Sequence, residues 1–202
     1  HPGRVLPFFA VNPRRDRPDD HHFDLLRHAV EEQGFMGVKL YPSLGFEVGT
    51  AAMERVLEYC LEMDLPITIH TSAGGFYRSE ATAQFSDPEH WTDLLAAYPD
   101  LRICFAHCGG WGGLCGEVAH EKEWADRILA LMDDHPNVHA DLAYHVDQMA
   151  DPAAEEAYFD ALADHLDGPL AGRILFGTDS WLLRLDMDDE LYWRYFERKL
   201  SA

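Results

Sequence analysis

The chain has 202 residues, 47% of them hydrophobic, which is enough for one domain with a core of its own. Its 16 lysines and arginines stand against 36 aspartates and glutamates, and the net charge of −20 argues against nucleic acid or an anionic membrane as partner. No apolar run approaches the roughly 20 residues of a membrane helix, and the opening HPGRVLPFF lacks the basic start and apolar core of a signal peptide, so a cytoplasmic protein is expected.

Strand-like runs and helical stretches alternate along the chain. RVLPFFAV (4–11) leads into DDHHFDLLRHAVEEQG, a helix stopping at Gly34, and then MGVKLY (36–41). TAAMERVLEYCLEMD puts Met53, Val56, Leu57, Cys60 and Leu61 on one face after a Thr50 cap, before ITIHT (67–71). SDPEHWTDLLAAYP offers Asp87 as N-cap and Pro88 at the first helical position, with Trp91, Leu94, Leu95 and Tyr98 as its buried stripe. RICFAHC (102–108), a helix around Trp124, Ile128, Leu131 and Met132, and NVHADL (137–142) follow. A second Asp-Pro helix from Asp151 to Gly168 precedes RILFGTD (173–179). The centres of the six runs are 30 to 37 residues apart, the length of one βα unit. This predicts a mostly parallel sheet, either a (β/α) barrel or an open doubly wound sheet, in one domain over 1–202. Both architectures place their active site at the C-terminal ends of the strands.

Those ends carry the polar residues. Val38 and Leu40 suit the helix layer, which turns Lys39 and Tyr41 inward; Ile67 and Ile69 do the same for Thr68 and His70. His107 closes the fourth run, and Asp179 sits at the tip of the sixth, sharing a face with Leu175 and Gly177. A lysine, two histidines and an aspartate from four strands thus converge on one rim. Neutral imidazoles with a carboxylate suit a divalent metal, Zn(II) or Mn(II). Arg78 could clamp a substrate carboxylate, Trp111 between two Gly-Gly pairs could line a mobile lid, and His145 could face the pocket. Cys60, Cys104, Cys108 and Cys115 are expected as buried reduced thiols. The CxxC pattern of a structural zinc site is missing, and Cys104 should point away from His107.

GFMGVKLYPSLGF, CLEMDLPITIHTSAG, YPDLRICFAHCGGWGG, NVHADL and RILFGTDSW, in this order and spacing, resemble the amidohydrolase-related metal-dependent barrels. This is the branch with aminocarboxymuconate-semialdehyde decarboxylase and the resorcylate decarboxylases. The resemblance implies a (β/α)8 TIM-barrel type of fold, here incomplete at about six βα units, with the first two strands and their His-x-His ligand pair missing from an N-terminally truncated domain. It implies His70 as metal ligand after the fifth barrel strand, and His107 as ligand or proton-handling residue after the sixth. Asp179 becomes a metal-bound carboxylate and general base after the eighth. Lys39 lies where some relatives carry a carbamylated lysine, and is expected to bind substrate along with Tyr41, Arg78 and Trp111.

The function so implied is hydrolysis of a small carbonyl- or carboxylate-containing substrate through a metal-activated water. The alternatives are non-oxidative decarboxylation of an aromatic or unsaturated acid, and a non-catalytic remnant of such an enzyme. Zinc is the expected metal, with manganese second. An open sheet edge is expected to drive homo-oligomer formation.

Overall fold

The computed structural model describes residues 5–14, 21–72, 74–168 and 171–201; Arg4 and the Asp19-Asp20 helix start expected from the sequence lie outside them. Six strands form at the six runs: β1 (Phe8–Val11), β2 (Gly37–Leu40), β3 (Ile67–Ser72), β4 (Ile103–Gly109), β5 (Val138–Asp141) and β6 (Ile174–Leu175). They pair parallel, in the order β1-β2-β3-β4-β5-β6. The connections carry α1 (His21–Gln33), α2 (Ala51–Glu62), α3 (Glu80–Ala83), α4 (Thr92–Ala97), α5 (Trp111–Cys115), α6 (Ala119–Asp134), α7 (Pro152–Leu166), α8 (Ser180–Leu183) and α9 (Asp189–Leu200). This is the α/β architecture of a TIM barrel. Among the described residues β1 and β6 do not pair, and the barrel is not closed. No helix among the described residues is long and apolar enough to cross a membrane.

Strand alternation sorts the chemistry. Val38, Ile67, Ile103 and Val138 lie side by side in register and are essentially fully buried, as are Leu40, Ile69, Phe105 and Ala140 one pleat further on. Both rows face the helix layer, where Met53, Val56, Leu57 and Cys60 of α2 and Trp124, Ile128, Leu131 and Met132 of α6 are buried. Each fully buried aliphatic side chain stabilises the fold by about 1.5–3 kcal/mol, so these two rows hold the sheet against its helices. The intervening row, Ala10, Lys39, Thr68, Cys104 and His139, is also in register and faces the interior of the curved sheet. Gly37 lets the Phe8 ring pack directly over the backbone: a Cβ at this position would lie 2.4 Å from the ring, which would have to shift.

Two elements differ from the sequence expectation. The Asp87 helix begins as a 3-10 turn, Pro88–Trp91, and only then becomes α4. Asp87 accepts from Glu89 N at 2.9 Å, and its two oxygens take Arg127 Nη1 of α6 at 3.0 and 2.9 Å, which fastens the tight turn to the neighbouring helix. The last run pairs over only two residues. The chain leaves the ladder after Leu175, which is 43% exposed, and turns into α8 through Asp179 in a left-handed conformation (φ 50°). Leu175 stands in register beside Asp141, on the inward face, and its exposure reflects the open edge that β6 forms.

Asp87→Ala removes a helix cap and a partly buried ion pair together, and is expected to cost about 1–2 kcal/mol, read as a lower urea midpoint with an unchanged m-value. Asp87→Asn, which keeps the cap, is expected to cost less.

Candidate active site

A cavity of about 700 Å³ opens at the C-terminal ends of the strands. Lys39, Tyr41, His70, His107, Trp111, His145 and Asp179 all line it, so seven of the eight candidate residues read from the sequence meet at one rim. The eighth does not. Arg78 is exposed beside Gly45 and is not among the lining residues, because its backbone N–H bonds to Ser43 O and directs the segment away from the cavity.

The site is organised by a turn at the end of β4. His107 and Cys108 adopt φ of 67° and 44°, and Gly109 and Gly110 continue at 82° and 115°. A left-handed non-glycine residue costs on the order of 1–3 kcal/mol, so this turn must be held from outside. Asp141 at the tip of β5 does part of this: its Oδ1 accepts from His107 N at 2.9 Å and from Ala143 N at 3.0 Å. The turn also corrects the expectation for Cys104. It breaks the alternation of β4, so His107 comes round to the side of Cys104, whose Sγ reaches Asp141 Oδ2 at 3.7 Å. The His107 ring donates Nδ1–H to Ala143 O at 2.8 Å, which leaves a lone pair on Nε2 in its neutral form.

His70 is buried under Tyr41, the rings stacked with centroids 3.9 Å apart, and stands edge-on to His107 at 5.0 Å. Burial, reinforced by His107, pushes its pKa down to about 3. The Tyr41 hydroxyl accepts from Phe76 N at 2.7 Å and His70 Nε2 meets Gly74 O at 3.1 Å, so the loop after β3 is fastened over both rings. Burial lowers the pKa of Lys39, while the carboxylates of Asp141 and Asp179 work to raise it. Asp179 precedes α8 yet makes no side-chain cap bond.

Burial pushes Cys60 and Cys108 up to about 12 and keeps them thiols. The Gly-Gly pairs around Trp111 permit close packing: a Cβ at Gly109 would lie 2.7 Å from Ala125 N, and one at Gly113 2.5 Å from Glu121 O. Three lining carboxylates, Glu121, Asp141 and Asp147, escaped the sequence reading. Asp141 follows from carrying the alternation of NVHADL to its end. Glu121, which accepts from Gly112 N at 3.0 Å, had no local signal.

In kind, two imidazoles and a carboxylate suit a divalent cation. In number and placement they do not: among the described residues no three His, Cys, Asp or Glu side chains converge closely enough to hold one, and His70 Nε2 is engaged by a carbonyl.

The profile of the amidohydrolase family matches residues 1–202. The chain belongs to this family. The motifs quoted from the sequence all lie within this match, and the family is generally metal-dependent. Among solved structures, 2,6-dihydroxybenzoate decarboxylase from Rhizobium is similar at 17% identity and a TM-score of 0.57, over 88% of this chain and 61% of that one. A probable 2-pyrone-4,6-dicarboxylic acid hydrolase from Acinetobacter baumannii, with citric acid bound, is similar at 12% identity and 0.57, over 89% and 62%. A 4-oxalomesaconate hydratase from Rhodopseudomonas palustris has 18% identity and 0.49, over 82% and 47%. At these identities the likeness is one of fold, and the chain spans 47% to 62% of the neighbours' lengths. No curated protein matches.

Buried neutral histidines are expected to make this fold acid-sensitive. Burial lowers His70 to about 3 and His145 to about 4, both below the 6.5 of an unfolded histidine. Below pH ~6.5 the unfolded chain therefore binds more protons, so stability falls with pH through the two folded values and is level above ~6.5. In urea titrations with chelator at pH 5 and pH 7, each group is expected to contribute up to about 1.4 kcal/mol per pH unit, and His145→Gln to shallow the slope.

Proposed function

We propose that this chain carries the substrate-facing rim of a hydrolase acting on a small carbonyl- or carboxylate-containing molecule. The observation that supports this most is that Asp179, free of any capping bond, shares a cavity with a desolvated Lys39 and with His107. The Lys39 ammonium, its water replaced by protein, binds a substrate carboxylate or carbonyl oxygen. Asp179 takes the proton of the attacking water, and the Nε2 lone pair of His107 relays that proton to the leaving group, its Nδ1–H held by Ala143 O. Tyr41 and Trp111 bound the substrate space, with Tyr41 also keeping His70 in place.

A divalent ion, zinc before manganese, belongs to this proposal because the family is generally metal-dependent. His70 and Asp179 are its proposed donors from this chain, and His107, with one free ring nitrogen, is a donor only in place of its proton relay. The described residues do not close a shell by themselves, so further donors are required. The four free thiols suit a reducing cytoplasm. Phe8 and Leu175, 37% and 43% exposed on the two unpaired edge strands, support association of copies through those edges.

A second reading, decarboxylation of an unsaturated acid, draws support from the cavity mouth. There Phe76 and Trp181 lie nearly parallel, with ring centroids 6.3 Å apart, and offer flat apolar faces. Assays on esters, lactones and amides of small carboxylic acids, with CO2 followed in parallel, separate the two. Hydrolysis without CO2 is expected, lowered roughly 10²–10⁴-fold in Asp179→Asn, the range for loss of a general base. Undiminished hydrolysis in that variant overturns the role of Asp179. CO2 release in place of hydrolysis establishes the second reading.

A further inference from the structure

His145 lies behind the site, 1% exposed, and every polar atom it carries is used. Its backbone N–H donates to Tyr192 Oη at 2.9 Å, and Tyr192 in turn donates to Leu142 O at 2.8 Å. Its backbone carbonyl accepts from Gln148 Nε2 at 2.7 Å. Its ring spans two partners: Nε2 lies 2.8 Å from His107 O, and Nδ1 lies 2.8 Å from Tyr158 Oη. A carbonyl can only accept, so Nε2 carries the proton and Nδ1 accepts from the tyrosine hydroxyl.

This fixes a directed chain from Tyr158 of α7 through the imidazole to the carbonyl of His107, the first residue of the left-handed turn. The backbone of His107 is then gripped on both sides, its N–H by Asp141 and its C=O by His145 and by Gly110 N at 2.8 Å. Both flanking groups are needed, since the turn places two successive non-glycine residues at positive φ. The grip decides where the His107 ring points. The ring's own bond, Nδ1–H to Ala143 O, closes only if the turn holds this conformation.

We propose that His145 is the positioning residue of this site: through the His107 carbonyl it locks the turn that fixes the tautomer of His107 and aims its Nε2 into the cavity. Neutral imidazole suits the task because it offers a donor and an acceptor on one small rigid ring. Tyr158 ties that ring to α7 and Tyr192 ties the His145 backbone to α9, both tyrosines fully buried, so two helices of the outer layer reach the site through His145. The consequence drawn for chemistry rests on the proton-handling role proposed for His107.

The test reads His107 directly, by long-range proton–nitrogen NMR of the chelator-treated protein, beside amide exchange at residues 107–110. In the wild type, His107 is expected as one Nδ1–H tautomer with slow amide exchange. His145→Phe keeps the ring's bulk and leaves the His107 carbonyl its bond from Gly110. In that variant His107 is expected to show both tautomers, and its amides to exchange at least roughly tenfold faster, as in local opening of the turn. His145→Gln, whose amide again offers a donor and an acceptor, is expected to restore the wild-type pattern. An unchanged His107 in His145→Phe, or a glutamine variant no closer to wild type than phenylalanine, overturns the proposal. Should His145→Phe not fold, Tyr158→Phe decides in its place: a mixed His107 tautomer supports the proposal and a wild-type spectrum overturns it. The readout needs no substrate, so failure of the hydrolase reading would appear separately, in the assays alone.

Discussion

The site depends on a carboxylate that binds two backbone amides. Asp141 Oδ1 joins the end of β4 to the residue just past β5 by accepting from His107 N and Ala143 N. Without it, two part-buried N–H groups lose their partner and a turn with two left-handed non-glycine residues loses its support. The same carboxylate faces Lys39 and receives the Cys104 thiol, so it shapes the backbone and sets the local charge at once. An apolar residue here would leave the helix side of the sheet intact and take apart the rim.

The division of labour follows from strand alternation. Rows of Val, Ile and Leu turned to the helices supply the stability, and the opposite rows are thereby free to carry Lys39, Thr68, Cys104 and His139. Around Lys39, burial opposes the charged form and Asp141 and Asp179 favour it, and the lowered pKa shows that burial is the larger effect. A cation that water solvates poorly is suited to accept a substrate anion, because it gives up little hydration on binding. His70 and His145 are held neutral by the same burial that is expected to make the fold acid-sensitive.

Much of this was legible in the sequence because it rests on local rules. Period-2 patterns located all six strands, Asp87-Pro88 and Asp151-Pro152 marked two helix starts, and inward parity put Lys39, Tyr41 and His70 on the correct side. The misses arise where local rules give way to contacts across strands. Parity fails at His107 because the turn is stabilised by Asp141 and His145, 34 and 38 residues later in the chain, and Cys104 was misplaced for the same reason. Arg78 was read from its charge alone, while the bond of its backbone to Ser43, 35 residues earlier, decides its place. The short β6 reflects the turn through Asp179, whose positive φ no composition signals.

The central claim is that small anionic molecules bind at the C-terminal rim, on Lys39, beside His107 and Asp179. Amide chemical-shift mapping with malonate, wild type beside Lys39→Met, tests it most directly. The account predicts saturable shifts gathered at residues near 39, 70, 107, 141 and 179, lost in the Lys39→Met variant. Shifts scattered over the helix surfaces, or a rim response that survives the loss of Lys39, would contradict it.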